Sequence, residues 1–237
     1  MKYRKAKKAD LDQVVRVAST AFEEYLFLKV IKDLVRDPKQ YPAFVEAMMR
    51  ILVKVFLKHH ICLVAEKNDE IYAVVLLQKG PIPFRAYLLN GGLGLLKFIS
   101  LKNMLAYFKF MEDTDKELEQ NVDFDWYLML LAVAPKHQRQ GYGSRFMTEG
   151  IEPFLEGIKG EKLAFYTNTK GNVYFYTKNG YKEVYSNEIS FNQVEMGSWY
   201  FLKELKKHWG YNWTAPQKLD RKNLTFGVFY NEINLWR

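Results

Sequence analysis

The stretch Leu128-Met-Leu-Leu-Ala-Val-Ala-Pro135 is an apolar run of strand length that ends at a proline. A basic turn, Lys136-His-Gln-Arg-Gln-Gly-Tyr-Gly-Ser144, follows directly and contains the pattern Gln-x-x-Gly-x-Gly. From Ser144 onward, apolar residues recur at the spacing of an α-helix. A strand, a glycine turn and a helix in this order predict a βα unit, and the rest of the chain is interpreted around it.

The glycine turn is suited to hold a phosphate group. Glycine has no Cβ, so the backbone at Gly141 and Gly143 can reach positive φ and let a ligand come close. The first amides of a helix have no partner within the helix, and the helix dipole adds positive potential. Lys136, Arg139 and Arg145 add charge around the turn. The alternative is a tight βα turn that binds no ligand, and the turn alone does not decide between the two.

A second motif lies in Lys162-Leu-Ala-Phe-Tyr-Thr-Asn-Thr-Lys-Gly-Asn-Val-Tyr-Phe-Tyr-Thr-Lys-Asn-Gly-Tyr181. Its pattern predicts a strand at 163–167, a short helix at 172–178 that ends at Gly180, and another strand at 181–185. The glycine turn and the Asn-Val-x-x-Tyr pattern together resemble two motifs of the GNAT N-acetyltransferases, in that family's order. The resemblance is clearest from about Trp126 to Tyr185.

The resemblance implies an α/β fold in a single domain. Its central sheet would be mixed and mostly antiparallel, flanked by helices, with a V-shaped opening beside the strand at 128–133. The core would cover about 1–204. A helical insertion at about 80–120 and an aromatic-rich C-terminal extension at about 205–237 lie outside the family pattern.

The resemblance also implies acetyl-CoA as co-substrate. Backbone groups at the end of the strand would pair with the pantetheine arm, amides of the turn would hold the pyrophosphate, and one asparagine would hydrogen-bond the arm. The residues implied in cofactor binding are Leu131, Ala132, Val133, Gln138, Arg139, Gln140, Gly141, Tyr142, Gly143, Ser144 and Asn172.

In the same way, the resemblance makes Tyr176 the general acid that protonates the departing thiolate. Tyr174 and Tyr181 are alternatives, but the spacing to Gly180 favours Tyr176, and a packing role is the plain alternative for each. A carboxylate near the start of the long strand is a general-base candidate, which selects Asp123 and Asp125. A solvent-facing strand entrance is the other interpretation of these two residues.

Composition limits the remaining possibilities. The chain has 237 residues, a formal net charge of +8 and one cysteine, and its histidines have no metal-ligand spacing. We therefore expect a soluble cytoplasmic protein that uses no metal, and the resemblance implies an enzyme that acetylates an amine, most simply on a small molecule. Two rival hypotheses are a CoA-binding module without transferase activity and a basic nucleic-acid-binding protein. An integral membrane protein is not expected.

Local signals organise the N-terminal half. We expect a strand at 2–6, a helix capped by Asp10 with Gln13 in a capping box, and a second helix at about 43–60. A hairpin should span 61–78, and the acidic run Glu112–Glu119 should be solvated.

Two expectations concern the second half of the chain. Pro153 should kink or interrupt the helix that follows the glycine turn. A strand is predicted at 226–230, and the tail tryptophans Trp209, Trp213 and Trp236 should pack on the core or form a contact between two copies of the chain.

Overall fold

The computed structural model describes residues 1–206, and seven strands within them form one sheet in the order β1-β2-β3-β4-β5-β7-β6. Neighbouring strands are antiparallel except β4 and β5, which are parallel. This architecture confirms the predicted α/β class with a mixed, mostly antiparallel sheet. The strands are β1 Lys2–Lys5, β2 Ile61–Lys67, β3 Glu70–Gln78, β4 Trp126–Val133, β5 Lys162–Thr167, β6 Lys182–Phe191 and β7 Val194–Glu204.

Helices cover both faces of this sheet. They are α1 Leu11–Phe22, α2 Leu26–Lys29, α3 Tyr41–His59, α4 Phe84–Leu89, α5 Leu101–Asn121, α6 Tyr142–Arg145, α7 Glu152–Gly157 and α8 Lys170–Lys178. Successive strand residues face opposite sides, so Val74 of β3 belongs to the core under α1 and α3, whereas Val75 belongs to the core under α6 and α7. Burial on both faces explains why β2, β3 and β4 are continuous apolar runs rather than alternating ones.

The predicted hairpin is confirmed as β2 and β3. Asn68 and Asp69 connect the two strands, and both have positive φ values, 52° and 59°. Asparagine and aspartate tolerate this left-handed conformation better than other residues with a side chain, which is why the pair forms a tight turn here.

The start of α1 corrects one prediction, because Asp10 does not cap this helix. Its carboxylate instead accepts hydrogen bonds from the Arg4 guanidinium at 2.6 and 3.0 Å, and Arg4 also pairs with Glu66 of β2. The Gln13 side chain accepts the Ile71 N–H of β3 at 3.2 Å, so the predicted capping box between Asp10 and Gln13 does not form. Both side chains tie α1 to the sheet, which local sequence spacing cannot reveal.

Replacing Asp10 by asparagine should lower the free energy of unfolding by about 1.5–3 kcal/mol at pH 7, the usual range for hydrogen bonds to charged groups. Arg4 holds the pKa of Asp10 below its ordinary value of 3.8, so the contribution is present above that pH and fades as the pH falls below it. Urea denaturation at pH 7 and at a pH below 3.8 measures this change in the free energy of unfolding. Asp12→Asn, on an exposed side chain, is the matched control and should change stability by less than about 0.5 kcal/mol.

The helix after the glycine turn is interrupted near Pro153, as predicted. A π-helical segment, Phe146–Ile151, joins α6 to α7, and α7 begins at Glu152 with the proline in its first turn. Proline has no N–H to donate, and first-turn amides need no partner within the helix, so this position tolerates it.

The insertion consists of α4, a 3-10 segment at Gly92–Lys97 and α5. The acidic run at its end was expected to be solvated, and that prediction is wrong in part. Thr114 and Leu118 are 2% and 1% exposed, and Asp115 is partly buried. They lie on the face of α5 that packs against the sheet.

The predicted strand at 226–230 and the three tail tryptophans lie outside the described residues. Within residues 1–206, no helix combines the length and apolarity that crossing a membrane requires. In that same part of the chain, no group of three or more His, Cys, Asp or Glu side chains is arranged to hold a metal ion.

Candidate active site

A fork between β4 and β5 opens where the sequence places the V-shaped opening. The two strands pair only at Trp126 with Leu163 and at Tyr127 with Ala164. The register between β3 and β4 shifts by one residue immediately beyond, which leaves Met129 as the extra residue on β4. Such a bulge bends its strand and increases the local twist. The bend therefore separates β4 from β5 directly after their two paired residues.

Leu131, Ala132 and Val133 line the open part of the fork. On one edge they pair with β3, where Ala132 lies opposite Val74. Among residues 1–206, no strand pairs with their other edge, which faces the fork. Backbone groups on that edge are available to a ligand that carries amides of its own, because such a ligand can bind as an added strand.

The glycine turn continues from β4 through a short 3-10 segment, Pro135–His137, to the start of α6. Arg139 and Gly141 both have positive φ, 61° and 79°. A Cβ added at Gly141 would meet no atom within 4 Å, so the space beside it is open. A Cβ at Gly143 would lie 3.3 Å from the Phe175 ring of α8. Gly143 therefore allows close packing of the turn on α8, a reason different from the predicted one of leaving room for phosphate.

Most of the charges around the turn are already paired. The Lys136 ammonium lies 2.5 Å from the Glu70 carboxylate, and Arg145 lies 3.0 Å from Glu149. The Gln138 side chain donates to the Val133 carbonyl at 3.0 Å and so ties the turn back to β4. Exposed ion pairs are worth little and open readily. The fixed positive potential of the turn therefore comes mainly from its backbone amides.

Tyr176 lies on α8 and is 7% exposed. Its ring packs on Phe165 of β5 with a centroid distance of 4.2 Å. Burial raises the pKa of the phenol well above its ordinary value of 10, so it is protonated throughout the neutral range. Of the alternatives, Tyr174 is 71% exposed, and the Tyr181 hydroxyl donates to Glu152 at 3.0 Å.

Asn172 lies at the start of α8, where β5 ends. Its side-chain amide donates to the Thr167 hydroxyl at 2.9 Å. The Tyr25 hydroxyl reaches the same strand end from the segment before α2 and accepts the Asn168 N–H at 3.0 Å. Polar groups therefore surround the open end of β5.

The structure does not favour Asp123 and Asp125 as the general base. Asp123 is exposed and forms an ion pair with Lys162 at 2.5 Å. Asp125 accepts the Lys162 N–H at 2.7 Å and the Glu161 N–H at 3.3 Å. Both residues precede β4, which begins at Trp126, so they lie at the paired end of the fork rather than at its open end. Their carboxylates fix the start of β5 instead.

A different carboxylate, which the sequence analysis missed, lies close to the fork. The Tyr127 hydroxyl donates to Asp115 of α5 at 3.3 Å, and the Tyr166 hydroxyl interacts with both of these groups. Burial raises the pKa of Asp115 to about 7. One signal could have indicated its position, because Met104, Tyr107, Phe110, Thr114 and Leu118 form a buried helical stripe that continues through the acidic run.

Comparisons with known proteins agree with this geometry. A family model described as an acetyltransferase (GNAT) domain matches residues 106–183, which contain β4, the glycine turn, β5 and α8. No curated protein matches the sequence.

Three solved structures illustrate the likeness in fold. One is described as an insect arylalkylamine N-acetyltransferase from the yellow fever mosquito, with 17% identity, a TM-score of 0.60, and coverage of 86% of this chain and 87% of the other. An agmatine N-acetyltransferase has 9% identity, a TM-score of 0.55, and coverages of 86% and 99%. A ribosomal-protein-alanine N-acetyltransferase from Brucella melitensis has 15% identity, a TM-score of 0.51, and coverages of 86% and 100%.

The fold is thus the one seen in GNAT acetyltransferases. More specifically, the GNAT acetyltransferase model matches residues 106–183, and the resemblance indicated by the two sequence motifs is confirmed. Proteins of this family use acetyl-CoA as the acetyl donor. The sequence identity to each of these three structures is below 20%, so the likeness concerns the fold alone.

Proposed function

We propose that the protein is an N-acetyltransferase that moves an acetyl group from acetyl-CoA to the amine of a small molecule by direct attack. The observation that carries this proposal is the fork, which has the glycine turn at its open end and the buried hydroxyl of Tyr176 beside it. No covalent intermediate on the enzyme is needed, because the amine itself is the nucleophile.

The donor half of the site uses mainly backbone groups. The free edge of β4 at 131–133 would pair with the amide-bearing pantetheine arm, and amides at 138–144 would hold the pyrophosphate. An N–H of the same strand edge would polarise the thioester oxygen. Asn172, at the end of β5, is within this region and would donate to the arm.

Tyr176 would supply the proton that the departing thiolate takes up. A thiolate leaves more readily when a nearby group protonates it, and a positioned acid of this kind contributes roughly 100- to 10,000-fold in rate. The raised pKa of this tyrosine keeps its proton in place until the reaction needs it.

The acceptor side is covered, which favours a small amine. Phe191, at the tip of the β6–β7 hairpin, packs on Phe110 of α5 with a centroid distance of 5.0 Å. Phe27 of α2 packs on the same ring, also at 5.0 Å. Phe27 also packs on Tyr166 of β5 with a centroid distance of 5.8 Å. These aromatic contacts bring the insertion and the hairpin to the face of β5 opposite Tyr176, where a long peptide would need open space.

Acetyl-CoA at about a hundred times its dissociation constant should stabilise the protein by roughly 2.7 kcal/mol, a rise of a few degrees in the unfolding temperature. Thermal unfolding with and without acetyl-CoA measures this. ATP and a short oligonucleotide are the controls, and neither should produce the shift. A shift with the oligonucleotide alone would favour the nucleic-acid-binding hypothesis instead.

Release of the CoA thiol then separates an enzyme from a silent CoA-binding module. The descriptions of the three solved structures suggest three probe amines: 2-phenylethylamine, agmatine and a peptide with an N-terminal alanine. We expect turnover with one of the two small amines and little with the peptide. A thermal shift without turnover of any probe would favour the silent module.

A further inference from the structure

We propose that Tyr166, Tyr127 and Asp115 form a proton path that leads from the acceptor side of the fork to a water-accessible cavity beside the start of β4. Asp115 is the terminal proton acceptor of this path. The inference rests on the proposed N-acetyltransferase function, and it replaces the general base that the sequence analysis placed on Asp123 or Asp125.

The first member of the path lies at the fork. Tyr166 is two residues beyond Ala164, the last residue of β5 that pairs with β4. Strand alternation places Tyr166 on the face opposite Phe165, and Phe165 is the residue on which Tyr176 packs. A thioester bound between the strands would therefore have Tyr176 on one side and Tyr166 on the other. Those are the sides from which the leaving sulfur and the attacking nitrogen need proton transfer.

The three groups of the path lie together. Tyr127 donates to Asp115 at 3.3 Å, the Tyr166 ring lies beside that of Tyr127 with a centroid distance of 6.3 Å, and the Tyr166 hydroxyl interacts with both the Tyr127 hydroxyl and the Asp115 carboxylate. A proton that arrives at the Tyr166 oxygen can therefore pass to Asp115 through Tyr127 or directly. The structure provides this chain from three different elements, β5, β4 and α5, which are far apart in sequence.

The far end of the path reaches water. A cavity of about 40 Å³ is lined by Gln78, Gly80, Asp115, Leu118, Glu119, Phe124, Asp125 and Tyr127. That volume exceeds the space that a single water molecule requires. Glu119 is exposed, so the cavity lies close to the surface. The Gln78 side-chain oxygen is buried there without a hydrogen-bond partner among the described residues, and a water molecule would satisfy it.

The surroundings of Asp115 support proton exchange near neutral pH. Burial is the largest effect and raises its pKa to about 7, and the neighbouring carboxylates raise it further, whereas the tyrosine hydrogen bonds lower it. A group with this pKa can both accept and release a proton during turnover. The titratable groups that face it are Glu112 and Glu119 on its own helix, Tyr87 on α4, Tyr127 on β4, Tyr166 on β5, and Asp125 across the cavity.

The proton balance assigns one route to each proton that the substrate loses. An alkylammonium first gives one proton to the path, and this proton leaves through Asp115 to water. The neutral nitrogen then forms the C–N bond with the thioester carbonyl carbon, and the C–S bond breaks. Tyr176 protonates the sulfur and regains a proton from the nitrogen. The sum is an amide, a free CoA thiol and one proton released.

The decisive experiment compares the pH dependence of kcat/KM in the wild type and Asp115→Asn, with whichever probe amine the wild type acetylates. In the wild type, kcat/KM should rise with pH and level off above about 7, because ionised Asp115 deprotonates the bound ammonium. In the variant, it should be roughly 100-fold lower at pH 7 and should rise about tenfold per pH unit up to the pKa of the amine, since only free amine can react. Tyr166→Phe should give the same profile, because Tyr166 is the member of the path that lies at the fork.

Two controls separate this proposal from a structural effect. Glu119→Gln alters the same cavity but not the path, so its profile should keep the wild-type shape and plateau, with the midpoint moved to lower pH because a neighbouring negative charge is lost. The thermal shift with acetyl-CoA should be equal in all variants. A wild-type profile in Asp115→Asn would overturn the proton path while leaving the transferase intact. Absence of wild-type turnover with every probe would overturn the proposed function, and the path with it.

Discussion

Tyr176→Phe is expected to lower kcat by roughly 100-fold or more, within the range that positioned acids contribute, while the dissociation constant of acetyl-CoA stays unchanged. The substitution removes only the hydroxyl, so the ring should keep its packing on Phe165 and the helix its position. The loss should therefore appear in the chemical step alone. Thiol release at saturating substrate gives kcat, and titration calorimetry gives the affinity for acetyl-CoA.

Tyr174→Phe is the matched control for this experiment. Tyr174 lies on the same helix two residues earlier but is 71% exposed, so it points away from the fork. The control should retain wild-type kcat and affinity. Equal activity of Tyr176→Phe and Tyr174→Phe would contradict the role of general acid and would leave Tyr176 as a packing residue. A silent CoA-binding module would likewise be indifferent to either substitution.

The donor half of the site is the part that sequence could predict. Its elements are contiguous: β4, the glycine turn and α6 lie within residues 126–145. Their conformations follow from local rules, because apolar runs predict strands and glycines permit positive φ. The bulge at Met129 is different. It opens the fork, yet nothing in the apolar run 128–133 marks the residue at which the register with β3 shifts.

The acceptor half depends on contacts between distant segments. The sequence pattern therefore did not indicate which carboxylates lie near the fork. Asp115 looked like one of several solvated acids, but α5 packs this face on the sheet and brings the carboxylate to Tyr127. Asp125 looked like a base at a strand entrance, but the strand begins one residue later. Its carboxylate accepts a hydrogen bond from the backbone N–H of Lys162 in β5. Tertiary packing decides which carboxylates are available, and single-sequence spacing does not contain that information.

The two halves also differ in the kind of group that they present to a ligand. The donor side presents mostly backbone groups, whose positions follow from the turn and the strand. The acceptor side is built by side chains from α2, α5 and the β6–β7 hairpin, and each of those positions can change its residue without changing the fold. In the proposed enzyme, the fold would therefore determine how the acetyl donor is held, whereas the insertion would determine which amine can approach it.

Gly141→Val should abolish the thermal shift with acetyl-CoA and also destabilise the protein by about 1–3 kcal/mol, because a β-branched residue is strained at a φ of 79°. That result alone would not separate backbone strain from loss of the phosphate site. Gly141→Asn separates them, since asparagine tolerates the left-handed conformation. The space beside Gly141 is open, so an asparagine side chain would project into the region assigned to the pyrophosphate.

Gly141→Asn should therefore keep an unfolding temperature close to that of the wild type but weaken acetyl-CoA binding at least tenfold, or about 1.4 kcal/mol. Gly94 offers the matched control, because it also has open space around its Cβ position but lies in the insertion. Gly94→Asn should change neither property. If Gly141→Asn bound acetyl-CoA as tightly as the wild type, the turn would be a structural connection between β4 and α6, and the pyrophosphate would have to be held elsewhere. If binding fell only in Gly141→Val, the requirement at this position would be the backbone conformation rather than the space that the side chain fills.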